Sequence, residues 1–87
     1  MLTKIEDREI MSIWDAKKKY ATKYFCMIIT EKVDGIYGDL GYVIYTGDSQ
    51  KDLSNMPRED YIGKSAGFFD GYSVEPYPIM DRIVYYD

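Results

Sequence analysis

Apolar and polar positions along the chain fall into segments of two kinds. Ile13, Ala16 and Tyr20 recur at i, i+3 and i+7, with Lys17 beside them, which predicts a helix over 13–20. Ser12 precedes it and Asp15 follows three residues later, so Ser12 is the expected N-cap, with its hydroxyl accepting from the Asp15 amide. Lys17, Lys18 and Lys19 fall in the last turn, where cations complement the helix end.

The other kind has a period of two. Over 23–31, Tyr24, Cys26, Ile28 and Thr30 point one way, and Phe25, Met27, Ile29 and Glu31 the other. Both sets are apolar in the middle, which predicts a central strand covered on both faces. Asp34-Gly35 and Gly38 mark a turn region over 32–39. A strand over 40–46 follows, with Tyr42 and Ile44 on one face and Val43 and Tyr45 on the other. Ser49 and Asp52 repeat the cap pattern and open a second helix of about two turns, whose stripe is Leu53 and Met56. Pro57 ends it. Residues 58–63 read as a loop anchored by Tyr61 and Ile62, 64–70 as a third strand, 71–80 as an irregular loop, and 82–86 as the closing strand. Residues 9–11 suit a short edge strand.

Together these elements predict one α+β domain over 1–87: a four-stranded, mainly antiparallel sheet packed on one main N-terminal helix, with a second short helix. A single long helix covers only one sheet face. Either the loops at 32–39 and 71–80 cover the other, or a second copy of the chain does; the homodimer is the favoured expectation.

Composition narrows the chemistry. The chain has no histidine and one cysteine, so zinc spacings, a Cys/His dyad and a disulfide framework are all absent from the sequence. Cys26 inside an apolar strand reads as a small buried hydrophobe. No stretch reaches membrane-span length, the N-terminus does not suit a signal peptide, and a cytoplasmic location is expected. Gly35, Gly38 and Gly41 fit turn glycines and match no phosphate-binding loop. Asp34, Asp39, Asp48 and Asp70 match no calcium loop and read as turn acids. Neither a catalytic residue, nor a metal, nor a cofactor is expected.

Charge divides unevenly. Residues 1–33 carry +2 and residues 34–87 carry −6, within a net −4. An acidic chain disfavours nucleic acid as a partner. Lys17, Lys18, Lys19 and Lys23 form the one candidate basic patch; with Trp14 or Tyr20 nearby it would suit a phosphate backbone or an acidic partner. Ten tyrosines are the main compositional oddity, and Tyr72, Tyr77, Tyr85 and Tyr86 form a candidate protein interface.

Ser12-Ile13-Trp14-Asp15-Ala16-Lys17-Lys18-Lys19-Tyr20 with its following Lys-Tyr-Phe strand resembles the start of small Firmicutes proteins. Asp39 to Thr46, Glu75-Pro76-Tyr77-Pro78 and Ile83-Val84-Tyr85-Tyr86 extend the likeness. Proteins of this size are also common on phage and mobile elements. The resemblance implies a source and a small α+β fold and carries no activity. The sequence therefore favours a non-enzymatic protein-interaction module. Its alternatives are an acidic mobile-element inhibitor that mimics nucleic acid, and a small-ligand binder or enzyme using Asp, Tyr and Lys.

Overall fold

The computed structural model describes residues 1–33, 39–73 and 79–84, the last five by backbone alone. The chain is α+β. Its elements are β1 (Thr3–Lys4), β2 (Met11–Ser12), α1 (Ile13–Lys19), β3 (Tyr24–Glu31), β4 (Leu40–Gly47), α2 (Gln50–Leu53), a 3-10 turn (Arg58–Asp60), β5 (Ser65–Asp70) and β6 (Met80–Val84). They form one sheet in the order β1-β4-β3-β5-β6, with β2 also on β4, and every described pairing is antiparallel. Two expectations change. The sheet gains β1 and β2 beyond the expected four strands. The first helix has only seven residues and follows two strand segments, so it is no dominant N-terminal helix.

Local chemistry accounts for both helices. Ser12 Oγ accepts from the Asp15 amide at 3.1 Å, and Ser49 Oγ from the Asp52 amide at 3.3 Å. These side-chain acceptors satisfy amides that a helix start leaves unpaired.

The centre of the sheet is β3, bonded to β4 on one side and β5 on the other. Its alternation sorts the core into two layers. Cys26, Ile28, Ile44, Tyr45, Leu53, Met56, Ala66 and Phe68 fill one. Ile13, Ala16, Phe25, Met27, Ile29, Val43 and Phe69 fill the other, beneath α1. Phe25 and Phe69 lie opposite each other across β3 and β5, with ring centroids 5.7 Å apart.

The first layer corrects the expectation of an uncovered face. Leu53 from α2, Met56 after it and Tyr61 after the 3-10 turn pack there. The chain's own second helix and the turn behind it supply cover on this face, and Ile79, from the segment expected as the 71–80 loop, packs there with them. The sequence stripe of Leu53 and Met56 is narrow, but both residues are buried in one cluster with Cys26 and Ile44. The loop regions 34–38 and 74–78 lie outside the described residues, as do Tyr85 and Tyr86.

A second correction concerns Tyr45. Cys26 pairs with Tyr45 and Met27 with Val43, so Ile44 is an extra residue in the ladder. Such a bulge resets the alternation. Ile44 and Tyr45 both enter the first layer, and Val43 alone enters the second. Tyr45 then donates to Asp60 Oδ2 at 2.5 Å, pinning the 3-10 turn to β4. That bond pushes the phenol up to about 12, with burial adding to it. Tyr45→Phe should cost about 1.5 kcal/mol, the low end for a bond to a charged group, because Asp60 keeps some solvent. Urea unfolding checks this; an unchanged midpoint would show that the bond holds nothing.

The outer edge of β4 is covered by the N-terminal segment. Thr3 pairs with Thr46, Met11 with Gly41, and the Ile5 amide donates to Ile44 O at 2.9 Å. Covered edges avoid pairing with foreign strands. The edge strand expected at 9–11 is thus displaced to 11–12 and joined by 3–4. At the far side the described part of the closing strand is Met80–Val84; it starts two residues before the expected 82, since its pairing with β5 begins at Met80 opposite Phe68, and 85–86 lie outside the described residues.

Candidate functional site

Two concave regions stand out among the described residues. The first is a polar cleft of about 70 Å³ lined by Lys4, Ile5, Glu6, Arg8, Ile44, Tyr45 and Asp60. Its charges are mixed, and its Tyr45–Asp60 bond is the pin described above. Arg8 also leans over the Tyr42 ring, 5.4 Å from the centroid. Contacts within the chain therefore engage Tyr45, Asp60 and Arg8 of the cleft.

The second is a groove of about 280 Å³ between α1 and the turn after β5, lined by Trp14, Lys17, Lys18, Ala21, Gly71 and Ser73. Its walls are mainly apolar. Trp14, Lys17, Lys18 and Ala21 stand at i, i+3, i+4 and i+7, which places them along one side of α1 and its exit turn. That spacing was present in the sequence but was hidden inside what looked like a simple run of lysines.

The opposite wall is fastened at several points. Lys17, although charged, is buried, and its ammonium donates to Asp70 O at 2.6 Å. It also reaches Ser73 O and Ser73 Oγ, each at 3.4 Å. The Gly71 amide donates to Lys23 O at 2.9 Å, and Tyr72 Oη to Thr22 O at 2.8 Å. Asp70 Oδ1 accepts from the Ser73 amide at 2.9 Å. Gly71 is required by this contact: a Cβ there would lie 2.1 Å from Tyr20 O and 2.6 Å from Ala21 Cα. The groove is therefore preformed, which limits the ordering cost of filling it.

The four lysines of the sequence patch go to different places. Lys17 is the buried clamp. Lys19 pairs with Glu9 at 3.1 Å, and Lys23 with Asp48 at 2.6 Å. Among the described residues, Lys18 has neither ion pair nor hydrogen bond, and it stands exposed at the groove rim. Of the four candidate interface tyrosines, Tyr72 is described. The residue is 59% exposed, and its ring rests on Tyr24 at 5.4 Å between centroids. Tyr77, Tyr85 and Tyr86 lie outside the described residues.

Several turn acids also have local work. Asp39 is buried and accepts from the Val33 amide at 3.3 Å. Asp48 and Asp52 hold the Met1 ammonium at 3.0 and 2.8 Å. Lys23 chiefly, with the Met1 ammonium, draws the Asp48 carboxyl down to about 2 from 3.8. A carboxyl depressed in the folded state stabilises above its unfolded value and loses that contribution as pH falls to the folded one. Between pH 3.8 and about 2, the melting temperature of the wild type should fall more steeply than that of Asp48→Asn. Parallel slopes in a thermal titration would dismiss the cluster as an acid-sensitive tie.

Cys26 is fully buried, and desolvation pushes its thiol up to about 12, far from a reactive thiolate. Among the described residues, no three His, Cys, Asp or Glu side chains converge to hold a metal ion, and no helix is long and apolar enough to cross a membrane. No family model, curated protein or solved structure matches the chain.

Proposed function

We propose that this chain is a protein-interaction module, a small domain that docks onto another protein. One observation carries the reading. Where the turns at 20–22 and 71–73 meet, Trp14 lines a preformed groove, and the adjoining residue Tyr72 presents an exposed ring. Tryptophan and tyrosine are the residues that most often anchor interfaces, because a large ring buries area at small entropic cost. Apart from Lys18 at the rim, the polar groups of Lys17, Asp70, Tyr72 and Ser73 bond to backbone or to each other, leaving a mainly apolar surface between them.

The test is capture from a host lysate followed by reconstitution from two purified chains, with molar mass read by light scattering. A complex of fixed stoichiometry is expected. Failure of every captured chain to reassemble with this one in pure form would overturn the proposal. A second copy is the alternative partner, and the same measurement on the chain alone separates the two.

A further inference from the structure

We infer that the Trp14 groove receives one large apolar side chain of a partner segment whose flanking residues are acidic. The inference rests on the interaction-module reading and names the site and the chemistry of its partner. Three features select this occupant. The first is size. A space of about 280 Å³ falls just under the range of small-molecule pockets, roughly 300–1,000 Å³, and suits a single leucine- or phenylalanine-sized group. The second is the wall. The Trp14 ring, Ala21, the Gly71 backbone and the lysine stems offer apolar surface, while the Lys17 ammonium points away into Asp70 and Ser73. Long side chains that keep their charge elsewhere present their methylenes as packing surface. The third is charge. Lys19 and Lys23 are neutralised by Glu9 and Asp48, and Lys17 is consumed inside. Lys18 remains as an uncompensated cation on the rim of an otherwise acidic chain. A carboxylate beside the inserted side chain would meet it, and a basic flank would be repelled.

Trp14 is the only tryptophan, so its emission reports the groove directly. The probe is a blocked hexapeptide with two glutamates on each side of a leucine–phenylalanine pair. It should shift Trp14 emission saturably, and amide shifts should map to residues 14, 18, 21, 71 and 73. Lys18→Glu should weaken binding about tenfold, since reversing a rim charge turns attraction into repulsion. The same peptide with lysines in place of glutamates should bind at least about tenfold more weakly to the wild type. Lys18 is exposed, so the variant keeps its fold, and its amide spectrum verifies this. Equal binding of the two peptides, an unaltered affinity in Lys18→Glu, or Trp14 emission that responds only to the chain's own concentration would each overturn the inference. If a reconstituted partner binds Lys18→Glu and wild type alike, the module reading stands and this site does not.

Discussion

Phe25→Ala should cost about 3–5 kcal/mol, the loss typical of a large aromatic ring removed from a core. Phe25 is fully buried in the layer beneath α1. Its ring stacks on Phe69 at 5.7 Å and meets Tyr20 at 5.9 Å, so truncation opens a space that three elements border. Small domains have total stabilities of roughly 5–15 kcal/mol, and the variant therefore gives up a large share. The urea midpoint should fall with little change in slope. Tyr72→Ala is the internal contrast: the residue is mostly exposed, and its loss should cost only about 1 kcal/mol, the net worth of its bond to Thr22 O. Similar costs for both variants would mean that β3 is not the centre of the core.

Gly41→Ala should be as damaging, although it adds only one methyl group. A Cβ at position 41 would lie 1.9 Å from Ile28 O, 2.9 Å from Ile28 C and 3.0 Å from Ile29 Cα. All three are backbone atoms of the central strand, so no rotamer relieves the clash. At Gly67, by contrast, the obstruction at 2.6 Å is the ring of Phe69, a side chain. Overpacking by a methylene or two usually costs about 1–3 kcal/mol. At Gly41 the β3–β4 ladder itself must move, and the loss should exceed that range. Circular dichroism during thermal unfolding measures it. A variant that melts like the wild type would show that β4 does not run this close to β3.

Much of this was legible because the signals are local. Ser12 with Asp15 and Ser49 with Asp52 act within one turn, and both caps form where the spacing places them. In β3, the strict period of two separates Cys26 and Ile28 from Phe25, Met27 and Ile29 without help from distant residues. Features that depend on long-range placement were not legible. The bulge at Ile44 is a mismatch between β3 and β4, and the β4 sequence alternates smoothly through it. The four residues of α2 reveal their role only when Leu53 lands on the opposite side of the sheet from α1. Lys17 illustrates both cases. Its position four residues after Ile13 puts it near the buried side of α1, yet the acceptors that make burial tolerable, Asp70 O and Ser73, lie more than fifty residues away.

The groove depends on the same architecture. Lys17 clamps the end of β5 to α1, and Gly71 brings the following turn against Tyr20 and Ala21. If the sheet needed a second copy to cover its other face, the apolar surface beneath α2 would compete with the groove as the main interface. Leu53, Met56 and Tyr61 already pack there, so the proposed interaction is placed at the surface around Trp14 and Tyr72.

Amide hydrogen exchange across about a hundredfold range of protein concentration tests this account most directly, because protection that comes from one chain does not vary with concentration. The amides of Phe25 to Ile29 should be the slowest to exchange, at rates independent of concentration, because α1 covers one face of β3 and α2 with its following turn covers the other. Protection that weakens on dilution, or that is greater at the sheet edge than in β3, would contradict it.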